Sequence, residues 1–172
     1  MRKAVAHVAL SDTDIAFYMR LALDEARDAM AIGEVPIGAV IVKDGQVVGR
    51  GHNLREHSQN SLLHAEVLAI EEACATLGSW RLEDADLFVT LEPCPMCAGA
   101  MINSRLRTCY YGAPDPKAGV AGSLGNLLTD TRFNHQVDVV AGVSEAESAA
   151  LLQSFFKAIR ARRKANKKRK QA

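Results

Sequence analysis

The order of apolar patterns is what most constrains how this chain can fold. Short β-branched runs alternate with longer stretches whose apolar residues recur at helical spacing. Over 12–31 the stripe is Ile15, Met19, Ala22, Leu23, Ala26 and Met30. It predicts a helix, with Ser11 as N-cap and Asp12 and Asp14 at its positive end. Val35 to Val42 reads as a strand, Asp44-Gly45 as a turn and Val47 to Gly51 as the returning strand, which makes a hairpin. Residues 64–77 read as a helix ended by Gly78. Leu87 to Leu91 is a buried strand stopped by Pro93, and Pro95 to Met101 suits a helix with proline in its first turn. Arg107 to Tyr111 is a fourth strand. Residues 112–126, rich in Gly, Pro and Ala, predict a functional loop followed by a short helix. Val137 to Val140 is a fifth strand, and 144–165 is a final helix with Leu151, Leu152, Phe155, Phe156 and Ile159 on or near one face. No repeat or interdomain linker interrupts this order, so the expectation is one domain, an α/β sandwich.

Composition agrees with an ordinary globular domain: 172 residues, 48% hydrophobic and 24% charged. Disordered, collagen-like and disulfide-miniprotein classes are thereby excluded. No apolar run reaches the roughly 18 residues of a membrane span, and the first ten residues make a poor secretory signal because His7 breaks their short apolar stretch. The expected location is the cytoplasm. The net charge of +1 conceals a segregation, with residues 1–156 carrying −8 and residues 157–172 carrying +9. Such a tail suits a polyanion, either nucleic acid or an anionic membrane surface, or else serves solubility alone.

Without a secretory signal, Cys94-x-x-Cys97 reads as a metal or redox pair, whereas Cys74 and Cys109 fall in apolar stretches and read as core residues. His64-Ala65-Glu66 opens one helix, and Pro93-Cys94-Pro95-Met96-Cys97 lies between a strand and another helix. One His and two Cys suit zinc, and three protein ligands leave the fourth tetrahedral position open, as catalysis requires. Helix N-termini favour thiolate over thiol. Glu66 is not needed as a ligand, and a carboxylate beside an activated water is placed to carry its proton. A closed four-ligand zinc knuckle would need His52, His57, Cys74 or Cys109, none of which forms a second ligand pair. A thioredoxin-like redox pair is the remaining alternative.

The two strings together form the H-x-E and P-C-x-x-C signature of zinc-dependent nucleobase deaminases. Across nearly all of 12–165 the chain resembles the bacterial tRNA-specific adenosine deaminases. The resemblance rests on Glu34 to Ala39, Gly51-His52-Asn53, His64-Ala65-Glu66, Thr90 to Ala100, Gly122-Ser123-Leu124 and Phe155-Phe156. The string from Glu92 to Ala100 is shared with guanine and other base deaminases, whereas Phe155-Phe156 followed by basic residues is more typical of the tRNA enzymes. The resemblance implies a cytidine deaminase-like fold, a three-layer α/β/α sandwich around a five-stranded mixed sheet. It divides the chain into an N-terminal extension (1–11), a deaminase domain (12–165) and a basic tail (166–172).

The implied reaction is hydrolytic conversion of adenosine to inosine at the wobble position, 34, of the anticodon of tRNA-Arg. Zinc, one per subunit, would be held by His64, Cys94 and Cys97, with Glu66 as the proton carrier. Asn53 would bind the flipped base, although it also suits a turn at a strand end. Asp115, Lys117, Phe156 and Arg160 match positions that contact the anticodon stem-loop, where unstacked bases are read in pockets. Either Phe could equally be core, and Lys117 a solvated loop charge. The family implies a homodimer, with the helix at 98–104 as a contact surface. Trp80 and Tyr110-Tyr111 read as core or rim aromatics. A free-base or nucleoside deaminase (guanine or cytosine) and a non-catalytic zinc-containing RNA-binding protein are the alternatives. The first needs no basic tail, and the second gives Glu66 no task.

Overall fold

A mixed five-stranded sheet runs through the middle of the structure, a computed structural model that describes residues 10–171. Its strands are β1 (Gly38–Lys43), β2 (Gln46–His52), β3 (Asp86–Leu91), β4 (Thr108–Ala113) and β5 (Asp138–Val140), in the order β2-β1-β3-β4-β5. β1 is antiparallel to both β2 and β3, while β3, β4 and β5 are parallel. The helices are α1 (Asp12–Ala31), α2 (Arg55–Ser58), α3 (Ala65–Leu77), α4 (Pro95–Ser104) and α5 (Glu145–Gln171).

Alternation along the strands builds two cores. One face of the sheet, with Ile41, Leu87, Val89 and Cys109, packs against Ala65, Ala69, Ala73, Ala98 and Met101 of α3 and α4. The other face, with Val40, Val42, Phe88 and Tyr110, packs against Tyr18, Met19, Ala22 and Leu23 of α1, and Leu151 of α5 joins it. Phe88 and Tyr110 stack at 4.5 Å between ring centroids. This is the three-layer α/β/α sandwich that the resemblance implies. Tyr110 and Tyr111 are core, and Trp80 is a rim residue, 57% exposed, with the Arg81 guanidinium over its ring.

Local chemistry explains where the elements start and stop. Ser11 and Asp14 form a capping box at the head of α1. Gly78 closes α3 with a left-handed φ of 60°. Gly51 of β2 faces α3 so closely that an added Cβ would stand 2.3 Å from the Ala65 carbonyl oxygen. α3 therefore lies directly on β2, which fixes the position of its first turn.

The structure departs from the expected elements in four places. β1 starts at Gly38, because Pro36 has no N–H and the Ile37 amide turns back to the Val35 carbonyl. The short helix expected after 112–126 is absent. Pro114, Pro116, Gly119, Gly122 and Gly125 interrupt any helical run, and the segment is held instead by side-chain and backbone bonds to the loop after β3. The one-turn helix α2 was not anticipated. α5 continues through Gln171 where the pattern suggested an end at 165, since Ala, Lys and Arg are good helix formers even without an apolar face. Of the expected N-terminal extension, residues 1–9, including His7, lie outside the described residues. Leu10 packs on the α1 face of the sheet.

Candidate active site

The two helix starts singled out by sequence meet in space. His64 and Cys94 are the N-cap residues of α3 and α4; the His64 side chain makes no bond to its own helix, and Cys94 Sγ meets Cys97 in the first turn of α4. Cys94 Sγ lies 3.6 Å from Cys97 Sγ and 3.7 Å from His64 Nδ1, and Cys97 Sγ lies 3.5 Å from His64 Nδ1. Donors held about 2.3 Å (S) and 2.0 Å (N) from a single tetrahedral centre lie roughly 3.5–3.8 Å apart. The triad thus has the donor chemistry and the spacing of a zinc site, with a fourth position open. Among the described residues it is the one His/Cys/Asp/Glu group compact enough for a metal ion. Neither His52, His57, Cys74 nor Cys109 completes it as a closed knuckle.

The electrostatics of the triad favour a thiolate at Cys94 and a thiol at Cys97. The Cys97 thiol donates to Cys94 and, with His64, holds Cys94 down at about 4 against the opposing effect of burial. Cys97, as that donor and buried, is pushed upward. Glu66, two residues into α3, is 4% exposed and lies within hydrogen-bond reach of the Cys97 thiol. Burial raises its pKa, opposed by its own backbone amide and by His64.

A cavity of about 230 Å³ opens onto the triad. His64, Glu66 and Cys94 line it together with Val35, Ile37, Asn53, Arg55, Leu91, Asp115 and Phe156. Two buried carboxylates hold that lining in place. Glu34, 1% exposed, accepts from Asn53 Nδ2 at 3.0 Å and from the Glu56 and His57 amides at 2.8 and 2.9 Å. In this way it orients Asn53 and caps α2. Glu92, 2% exposed, accepts from the amides of Asp115, Ala121 and Ser123 at 2.9–3.0 Å and from the Ser123 hydroxyl. Burial alone would raise the Glu92 pKa, but the donors from Ser123, Asp115 and Ala121 outweigh it and hold the value down. Nothing in the sequence around Glu34 or Glu92 marks these roles, because their partners are backbone amides and side-chain donors far along the chain.

Of the residues expected at a site, His64, Glu66, Cys94, Asn53, Asp115 and Phe156 line the cavity, and Cys97 completes the triad. Phe155 is buried and Phe156 is 43% exposed, so the pair divides between core and cavity. Lys117 and Arg160 lie outside the cavity lining, Lys117 on the exposed turn after Asp115 and Arg160 one turn beyond Phe156. Arg55 lines the cavity without having been expected there. His52 sits 3.0 Å from Glu25 in a wider concavity of about 480 Å³ between α1, β2 and α3. That concavity holds no nucleophile or metal triad, and Glu25 and Glu72 are already engaged by His52, Arg50 and the Arg50 amide.

Comparison with known proteins agrees with this geometry. Residues 13–160 match the family of MafB19-like deaminases. The tRNA-specific adenosine deaminase of Bacillus subtilis (strain 168) is 55% identical over 151 residues, covering 88% of this chain and 94% of that protein. The protein of the same name from Streptococcus pyogenes serotype M18 is 49% identical over 148 residues, covering 86% and 93%. A solved structure from a study of A-to-I editing by tRNA:A34 deaminases at the wobble position of transfer RNA superposes with a TM-score of 0.76 at 47% identity. It covers 79% of this chain and 99% of that one. This chain belongs to the MafB19-like deaminase family and, within it, to the tRNA-specific adenosine deaminases.

Proposed function

We propose that this protein hydrolyses the wobble adenosine, position 34, of the tRNA-Arg anticodon to inosine. It acts in the cytoplasm as a homodimer with one zinc ion per subunit at His64, Cys94 and Cys97. The observation that carries the reading is Glu66: a buried carboxylate outside the donor triad, adjacent to it, lining the same cavity as His64, Cys94 and Phe156.

Zinc, when bound by three protein donors, supplies a Lewis acid that brings the pKa of a water in the open position close to neutrality. Glu66 takes a proton from the attacking water and passes it to a ring nitrogen of the adenine, then takes the proton of the new C6 hydroxyl and hands it to the departing ammonia. The C6–N bond breaks and a C6–O bond takes its place. Asn53, oriented by the bond from its Nδ2 to Glu34, offers Oδ1 as an acceptor and its second amide N–H as a donor to the flipped base. Phe156 gives an apolar ring on which an unstacked base can rest, while Asp115, Lys117 and Arg160 contact neighbouring nucleotides of the loop. The relatives' common name and the A34 deaminase structure support this substrate. The small-residue helix α4, with Gly99 facing open space, supports a close subunit contact.

The test is Glu66→Ala in zinc-loaded protein, reading zinc by metal analysis and inosine by nucleoside mass spectrometry. Zinc should stay at one per chain while inosine formation falls by at least about 10³-fold, a loss in the range of general acid–base catalysis. Undiminished turnover would remove the proton-carrier role. An RNA-binding module without catalysis would show no inosine in the parent protein either.

A further inference from the structure

The C-terminal half of α5 leaves the body of the protein. Ile159 is its last partly buried residue, and every residue from Arg160 to Arg169 is exposed. Among the described residues, none of the cations on that stretch is engaged by an acidic side chain, and no acidic residue follows Glu147 in the sequence. Arg160 and Lys164, Arg163 and Lys167, and Lys164 and Lys168 are like charges four residues apart, a spacing at which helical neighbours repel. A helix built this way gains most from a polyanion laid along it.

Its charge is also directional. At 3.6 residues per turn, Arg160, Arg163 and Lys167 all fall within about 40° of Phe156 around the helix axis, whereas Lys168 and Arg169 lie more than about 100° away. Phe156 is the α5 residue that lines the active-site cavity. A cationic stripe about 16 Å long therefore starts at the cavity and runs outward on the same face. On an adjacent face, Phe155, Ile159 and Arg162 line a separate groove with Met30 and Ile32 of the α1 end.

We propose that this stripe is a docking rail for the phosphates of the RNA strand that leaves the catalytic pocket, so that recognition extends from the loop into the stem. The inference rests on the RNA substrate proposed above. It differs from a general electrostatic role of the tail in requiring one face of the helix.

Two double variants with equal charge loss separate the possibilities: R163Q/K167Q on the stripe and K168Q/R169Q off it. Full-length zinc-loaded proteins are titrated with a fluorescent anticodon stem-loop across a range of salt, and inosine formation is followed at saturating stem-loop. The stripe pair should weaken binding roughly tenfold at physiological salt and lower the slope of log Kd against log salt by between about one and two. The off-stripe pair should keep both near the parent values, and saturated turnover should be unchanged in both. Equal losses in the two pairs, or no loss in either, would overturn the rail. So would loss of binding to anionic phosphatidylserine vesicles by the stripe pair with RNA affinity intact. Absence of inosine from the parent protein would instead defeat the proposed function, while face-dependent RNA binding is read independently of turnover.

Discussion

At His64 and Cys94 the chain places a side chain of the proposed zinc triad where a helix ordinarily carries a capping side chain. The choice costs stability, since Asn or Asp at an N-cap is worth about 1 kcal/mol over a residue that makes no cap bond. His64→Asn should therefore remove zinc binding without lowering the melting midpoint of the metal-free protein. Calorimetry in chelator, with metal analysis of the untreated protein, checks both halves. A large fall in the metal-free midpoint would show that His64 is chiefly a packing residue. Phe156→Ala is the complementary case. The ring is 43% exposed, so stability should change little, while KM for a stem-loop should rise by about tenfold, the lower end of what one base–aromatic stack contributes. His64, Glu66, Cys94 and Cys97 were readable from sequence because two short strings carry them, each at a helix start. Glu34 and Glu92 were not, because a buried carboxylate that collects distant amides leaves no local pattern.

Among the elements, the strands and long helices followed from periodicity, and the discrepancies lie where tertiary contacts replace local signals. α2 lacks a side-chain cap of its own and takes one from Glu34, more than twenty residues upstream. The segment after β4 is organised around Glu92 and not by a helix. Glu92→Gln replaces one accepting oxygen by an N–H group that faces donors, which should cost about 1–3 kcal/mol of stability. Denaturant unfolding measures that cost, and faster amide exchange across 115–123 would localise it; unchanged exchange there would refute the assignment. Gly51→Ala drives a Cβ into the backbone of the α3 first turn. The expected result is a loss of about 1–3 kcal/mol together with weaker zinc affinity, because His64 and Glu66 move with that turn. Parent-like unfolding and zinc titration would mean that α3 shifts without moving the triad.

Viewed as a whole molecule, the chain separates chemistry from attraction. The sandwich sets the triad, Glu66 and Asn53 at one end of the sheet in a body of net charge −8, and α5 carries a +9 segment that begins beside the cavity. A body of net negative charge repels a polyanion on average, whereas the cationic end of α5, which starts beside the cavity, attracts it. The charge asymmetry was legible in the sequence. Its continuation as one helix to Gln171 was not, because that stretch has no apolar face to give a period. Among the described residues, no helix is long and apolar enough to cross a membrane. The most direct test is nucleoside mass spectrometry after the zinc-loaded protein meets an arginine-tRNA anticodon stem-loop with adenosine at position 34. Free adenosine, cytosine and guanine are assayed in parallel. Inosine at position 34 of the stem-loop, with the free compounds untouched, is the predicted result. Turnover of a free base or nucleoside with the stem-loop unchanged would contradict it.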